Sequence, residues 1–126
     1  MGDEITGGCK CGSVRYSGAR SDVEMFRCYC RDCQRLTGTG HSDMVPLEKA
    51  GFAVGGDYRE YEMTGGSGRS TWSGFCGTCG SQITRRSARM SDRIYVHAGS
   101  LDDTSIYVPS RFIYTEFAPA WDRYDD

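Results

Sequence analysis

Seven cysteines fall in three groups along the chain of 126 residues, and their spacing indicates metal binding. Cys9 and Cys11 form a C-x-C pair, and Cys76 and Cys79 form a distant, glycine-rich C-x-x-C pair. In an extended strand, residues i and i+2 point to the same face, so Cys9 and Cys11 can both reach one ion. Two such pairs supply the four sulfur ligands of a closed tetrahedral site. We therefore predict that these four residues bind a structural zinc ion.

The other three cysteines lie close together in the sequence CYCRDC. Cys28 and Cys30 would share a strand face, and Cys33 follows by about one helical turn, so the three sulfurs can converge on one ion. No obvious fourth ligand follows, because His41 and His97 are more typical of polar residues satisfied by hydrogen bonds. Three protein ligands with one open position are typical of catalytic zinc. We expect Cys28, Cys30 and Cys33 to bind a second, more labile zinc ion. These three cysteines would then be the catalytic residues.

The ligand type limits the chemistry of this second site. Three thiolates leave a zinc centre with a net charge of about −1, which suits thiol chemistry better than the activation of water. An incoming thiol could take the open position, lose its proton and attack a small electrophile. Two alternatives remain. The chain could be a non-catalytic zinc-binding module for a protein partner, or a thiol redox protein that uses Cys28, Cys30 and Cys33.

Length and composition predict one zinc-binding domain, residues 1–126, with a core of about 7–121. The net charge of −2 argues against nucleic acid as a partner, and no apolar stretch is long enough to cross a membrane. The N-terminal sequence lacks the features of a signal peptide, so we expect a cytoplasmic protein with reduced thiols. The basic cluster formed by Arg85, Arg86, Arg89 and Arg93 is typical of a solvated turn, with a small anion site as the alternative.

Short segments of alternating polarity, separated by glycine turns, predict many short strands and little helix. Strands are expected within 13–17, 23–28, 42–46, 52–54, 59–63, 70–75, 81–85, 93–98 and 111–117. Residues 31–36 could form one or two helical turns that stop at Gly38. This pattern is typical of an all-β sandwich or a small barrel. The aromatic residues expected in its core are Trp72, Tyr95, Phe112, Phe117 and Trp121.

Several motifs together resemble one known family. The segments GGCKCGSVRYSG, CYCRDCQRLTG, FCGTCGS and GSLDD, followed by Trp121, resemble the glutathione-dependent formaldehyde-activating enzymes, a family that includes centromere protein V relatives. The resemblance covers about residues 7–121. It implies a mainly β, Mss4-like fold, a zinc-stapled sandwich of short antiparallel strands with little helix. It also implies a structural zinc at Cys9, Cys11, Cys76 and Cys79, and a catalytic zinc at the other three cysteines.

The activity implied by this resemblance is the condensation of glutathione with formaldehyde to S-hydroxymethylglutathione, which is a carbon–sulfur lyase reaction in reverse. The partner would be a small-molecule thiol such as glutathione. Its two carboxylates need cations, and Arg27, Arg31 and Arg35 are the nearest in sequence to the three cysteines. The chain departs from the family pattern at Tyr29 and Gln34, where histidine and arginine are frequent, but neither position is a metal ligand.

Overall fold

The computed structural model describes residues 4–122, which fold mainly into short β-strands. Within that range the strands are β1 (Glu4–Gly8), β2 (Arg15–Ala19), β3 (Phe26–Cys28), β4 (Ser42–Glu48), β5 (Ala53–Gly55), β6 (Tyr58–Thr64), β7 (Ser70–Cys76), β8 (Gln82–Ser87), β9 (Arg93–His97) and β10 (Arg111–Ile113). The helix α1 (Arg31–Thr37) lies between β3 and β4. The predicted mainly β class with little helix is confirmed.

The strands form two sheets. The smaller sheet has the order β1-β2-β5, and the larger has the order β10-β3-β4-β9-β8-β7-β6. Neighbouring strands run antiparallel except β3 and β10, which run parallel. A parallel strand cannot be reached by a tight hairpin and needs a crossover connection. Residues 98–110 form this connection: they lead from the end of β9 to the far edge of the larger sheet, where β10 pairs with β3.

The hydrophobic core contains residues of both sheets. Ile5 and Tyr16 of the smaller sheet belong to the same buried cluster as Val45 and Val96 of the larger one. Val45 lies opposite Val96 in the pairing of β4 with β9, so both side chains point to one face of the larger sheet. The two sheets therefore pack as a small sandwich, as predicted, and this face of the larger sheet forms part of its interior.

The other face of the larger sheet carries a different set of side chains. Cys28 of β3 lies opposite Ser42 of β4, and Phe26 lies opposite Met44, one residue out of phase with the core positions. The helix α1 begins directly after this row, and Gly38 ends it in a left-handed conformation with φ 78°. The predicted helical turns and their stop are thus confirmed, and they place the second cysteine group on this face.

None of the five aromatic residues expected in the core belongs to the core cluster, so that prediction is wrong. Trp72 and Tyr95 are half-buried outside it, and the other three are exposed. The exposed fractions are 36% for Phe112, 47% for Phe117 and 74% for Trp121. All three belong to the segment that begins at β10, which is an edge strand of its sheet. The strand β1 was not predicted at all, although it pairs with β2 along its whole length. No helix within residues 4–122 has the length and apolar character needed to cross a membrane.

Candidate active site

The two predicted cysteine groups are both assembled by the fold. The first, which we call the tetrad, comprises Cys9, Cys11, Cys76 and Cys79, and its sulfur atoms all lie within 4.8 Å of one another. The Sγ atoms of Cys9 and Cys11 are 3.7 Å apart, and those of Cys11 and Cys76 are 3.8 Å apart. One pair follows β1 of the smaller sheet and the other lies at the end of β7 of the larger sheet. The tetrad therefore connects the two sheets.

Backbone N–H groups around the tetrad point at its sulfurs. The N–H of Val14 donates to Cys9 Sγ at 3.2 Å, and the N–H of Thr78 donates to Cys76 Sγ at 3.3 Å. The Ser81 hydroxyl, 3.1 Å from Cys79 Sγ, helps to lower the pKa of that thiol to about 5. Such contacts stabilise thiolates, the form in which cysteine binds metal. Four convergent sulfurs with this support fit a tetrahedral zinc ion.

The second group, which we call the triad, comprises Cys28, Cys30 and Cys33. Cys28 ends β3, Cys30 caps the N-terminus of α1, and Cys33 lies in the first turn of that helix. Their sulfurs also lie within 4.8 Å of one another, and no other histidine, cysteine or acidic side chain of residues 4–122 completes the group. The N–H of Cys33 donates to Cys30 Sγ at 3.3 Å. The hydrogen bond that caps the helix therefore also holds Cys30 and Cys33 close together.

The proximity of the three sulfurs moves their pKa values apart. Hydrogen bonds with Cys28 and Cys30 lower the pKa of the Cys33 thiol to about 2, and Arg85 contributes in the same direction. Hydrogen bonds with Cys30 and Cys33, together with burial, raise the pKa of Cys28. The triad thus favours one thiolate and opposes further ionisation unless a cation joins it. A divalent metal that prefers sulfur ligands fits this donor set.

A cavity of about 320 Å³ opens over the triad. All three cysteines line it, together with Arg85, Arg89 and the loop Gly65–Ser67 that connects β6 to β7. Phe26, Met44, Tyr95, Tyr114 and Phe117 also line it. The volume lies at the lower end of the range for pockets that bind small molecules. The arrangement offers three sulfur ligands, cations and an apolar wall in one cavity.

The cations at this cavity are not the ones that are nearest in sequence. Arg27 donates to Asp43 at 2.8 Å, Arg31 donates to the Gln34 side chain, and Arg35 is exposed. Among the residues that the structure describes, none of these three lines the cavity, whereas Arg85 and Arg89 do. The sequence left open whether Arg27, Arg31 and Arg35 bind substrate carboxylates; the cavity lining does not support that role, and Arg31 and Arg35 are exposed surface residues.

The sequence left two alternatives for the basic cluster, a solvated turn or a small anion site, and its members divide between them. Arg85 Nη1 lies 3.7 Å from Cys33 Sγ, and its buried Nε has no hydrogen-bond partner among the described residues. Arg86 is held by both carboxylate oxygens of Glu60 at 2.7 and 2.8 Å, and its guanidinium lies 3.9 Å from the centre of the Trp72 ring. Arg93 pairs with its neighbour Asp92. Arg85, Arg86 and Arg89 all line the cavity, but Arg86 is held by Glu60, so Arg85 and Arg89 are the cavity cations without a carboxylate partner among the described residues.

The two histidines behave differently from each other. His41 contacts two carboxylates, with Nδ1 2.6 Å from Asp122 and Nε2 3.0 Å from Asp43, as expected for a satisfied polar residue. His97 is buried, and its Nε2 lacks a partner within residues 4–122. Burial, with a smaller contribution from Arg85, lowers the pKa of His97 to about 4. Neither histidine joins a cysteine group.

Comparison with known proteins agrees with these motifs. A family model described as "Glutathione-dependent formaldehyde-activating enzyme" matches residues 4–117, which is nearly the whole chain. The chain belongs to this family. The crystal structure of a Rhodobacter sphaeroides protein is similar, with a TM-score of 0.66 and 18% identity over 85% of this chain and 98% of that one. That likeness concerns the fold. A search of curated proteins found no significant match.

The positions at which this member of the formaldehyde-activating family departs from the pattern have a structural role. Tyr29 is fully buried, and Gln34 is almost fully buried. The Gln34 amide donates to the carbonyl oxygens of Tyr29, at 2.9 Å, and of Phe117, at 3.0 Å. Gln34 therefore fastens the C-terminal segment against α1, beside the triad. Nothing in the sequence indicated this role, because the two segments are 83 residues apart.

Proposed function

We propose that the chain is a zinc-dependent carbon–sulfur lyase that forms and cleaves S-hydroxymethylglutathione. The observation that supports this best is the contrast between four sulfurs at the tetrad and three at the triad, with the three facing a cavity. In this proposal the tetrad holds a structural zinc. Cys28, Cys30 and Cys33 hold a second zinc whose remaining position is open to substrate.

The residues around the triad have separate roles in this proposal. A zinc ion there would bind the sulfur of an incoming thiol and favour its deprotonation. Arg85 approaches Cys33 Sγ and brings positive charge next to the sulfur ligands. Arg89 is exposed at the cavity and would bind a carboxylate of glutathione.

The reaction needs no oxidant or reductant. The glutathione sulfur forms a bond with the carbonyl carbon of formaldehyde, and the carbonyl π electrons move to oxygen. The proton lost by the thiol ends on that oxygen, which gives the S-hydroxymethyl group. In the reverse direction the hydroxyl loses its proton, the carbon–sulfur bond breaks and formaldehyde leaves. The protein contributes by holding the sulfur and the carboxylates in one geometry.

The test is to follow the exchange of formaldehyde with glutathione against the uncatalysed rate, using zinc-loaded protein. We expect acceleration by the intact chain and its loss in Cys30→Ser. Arg89→Ala should raise KM about tenfold, the effect of one lost charged hydrogen bond. Arg35→Ala, which removes an exposed arginine outside the cavity, is the matched control and should leave KM unchanged. No acceleration by zinc-replete protein would refute the assigned substrates, and acceleration that survives Cys30→Ser would refute the mechanism.

A further inference from the structure

The cavity over the triad has an apolar floor that continues along the sheet from Cys28. The residue pair next to Cys28 and Ser42 on the same face is Phe26 and Met44. Two residues along a strand correspond to about 7 Å between Cα atoms, so the floor begins one row of side chains away from the cysteine. The ring of Tyr95 then packs edge-on against Phe26, with 5.3 Å between ring centres. The floor therefore extends over three neighbouring strands: β3, β4 and β9.

A second apolar surface is formed by Tyr114 and Phe117, which line the same cavity. Their ring centres are 6.3 Å apart, and about half of each residue is exposed, 51% for Tyr114. Tyr114 has a φ of 57°, a left-handed conformation that costs free energy for a residue other than glycine. Both the exposed rings and this conformation are unfavourable in the protein alone. A ligand that covered the rings would remove their apolar surface from water, and that burial would offset part of the unfavourable free energy.

The second surface is held in place by specific contacts. Gln34 binds the carbonyl of Phe117, and the N–H of Tyr29 donates to the carbonyl of Ile113 at 3.0 Å. Farther along, Asp122 is bound by His41. The segment that carries Tyr114 and Phe117 is thus fixed at both ends. Its rings form a wall of the cavity in a defined position.

A one-carbon substrate does not use these surfaces. With its sulfur at the triad and a carboxylate at Arg89, a glutathione adduct of formaldehyde adds one carbon and a hydroxyl group beyond the sulfur. That group adds little length, whereas the floor occupies the next row of side chains, about 7 Å along the strand between Cα atoms. An aldehyde with a longer hydrocarbon chain would place that chain against Phe26, Met44 and Phe117. The aromatic surfaces and the cations would then each have a ligand group to bind.

We propose that this site takes glutathione adducts of apolar aldehydes several carbons long, in addition to or in preference to the formaldehyde adduct. This inference rests on the proposed function, since it concerns the same triad and the same thiol. The reaction balances in the same way. The thiol sulfur bonds to the aldehyde carbon, the carbonyl opens, and the thiol proton ends on oxygen to give a hemithioacetal.

The test is a binding series that does not depend on turnover. Calorimetry would measure the dissociation constants of S-methyl-, S-butyl- and S-hexylglutathione with the zinc-loaded full-length chain. We expect the affinity to rise about fourfold for each methylene group that becomes buried. Phe117→Ala and Tyr114→Gly should each reduce that rise, and glycine at position 114 tolerates the positive φ. Trp121→Ala is the matched control, because Trp121 is an exposed aromatic residue of the same segment that does not line the cavity.

Equal affinity across the series would overturn the inference, as would a rise of the same size in both wall variants. The formaldehyde exchange assay separates this result from the proposed function. Exchange with formaldehyde together with a flat binding series leaves the proposed function intact and refutes only the apolar subsite. A rising series without any catalysed exchange supports the subsite and refutes the proposed catalysis.

Discussion

The tetrad and the triad use the same ligand atom but connect different parts of the molecule. The tetrad joins a loop of the smaller sheet to a turn of the larger sheet, across the core. The triad joins the end of β3 to the first turn of the helix that follows it, within a few residues of chain. An ion in the tetrad would therefore tie the sheets together, whereas an ion in the triad would stabilise only local structure.

The number of ligands matches this division of roles. Four sulfurs close a tetrahedral site and leave no position for substrate, while three leave one position open. The open group is the one that faces a cavity with Arg85 and Arg89. The comparison supports the proposal that the tetrad, which joins distant segments, serves stability, and that the local triad is available for chemistry. The following predictions test that division.

The largest expected effect is that of Cys76→Ser, which removes a buried cysteine of the tetrad. Metal binding at a structural zinc site contributes on the order of 10 kcal/mol to folding, so this variant should lose cooperative unfolding. Circular dichroism during heating, together with zinc analysis, would show it. The matched variant Cys30→Ser should keep a cooperative transition. Equal destabilisation by the two variants would contradict the division into tetrad and triad.

The next largest effect concerns metal release. A coloured chelator should remove zinc in two phases, because the triad has one ligand fewer and is open to competing thiols. We expect the triad to bind zinc at least about tenfold more weakly than the tetrad. Cys30→Ser should abolish the weak phase and leave the strong one. Release of both ions in one phase, at one chelator concentration, would show that the two groups are equivalent.

A smaller effect is expected from Gln34→Ala, which leaves the carbonyls of Tyr29 and Phe117 without their donor. Loss of these hydrogen bonds should cost about 1–3 kcal/mol and loosen the wall beside the triad. Hydrogen exchange should then increase in residues 113–118 while the tetrad loops stay protected. The control is Arg35→Ala, an exposed change on the same helix, for which we expect no more than about 0.5 kcal/mol. Equal loosening around the tetrad would argue against a local role for Gln34.

The last prediction concerns a dependence of stability on pH, of similar size, that arises from His97 at the end of β9 in the larger sheet. The pKa of His97 is about 4 in the folded protein and about 6.5 in the unfolded chain. Between these values the unfolded chain binds more protons, so stability should fall as the pH drops from about 6.5 to 4, by about 2 kcal/mol. His97→Gln should lack this component when chemical denaturation is compared across that range. The same slope in the variant would assign it to other groups.

The sequence by itself determined the features that depend on local geometry. Cys28, Cys30 and Cys33 could be placed together from the two-residue period of extended backbone and the length of a helical turn. Cys9 and Cys11 also converge as predicted, but they lie in a turn after β1 and not in the strand that the prediction assumed. Gly38 marked the end of the helix because glycine adopts a left-handed conformation easily. The many alternating segments indicated a mainly β fold, although β1 was missed because its sequence, EITGG, contains two glycines and little alternation.

Only the tertiary structure decided which side chains share the cavity with the triad. Arg85 lies 52 residues from Cys33 and reaches it because β8 pairs with β9 and β9 with β4, a register that no local pattern specifies. The arginines near the triad in sequence instead face Asp43, Gln34 or solvent, since strand alternation at Arg27 and the positions of Arg31 and Arg35 on α1 direct them away from the cavity. Phe117 is exposed because it follows an edge strand, and Gln34 holds it there through a contact across 83 residues. Spacing along the chain determines which ligands can converge, whereas strand order determines what surrounds them.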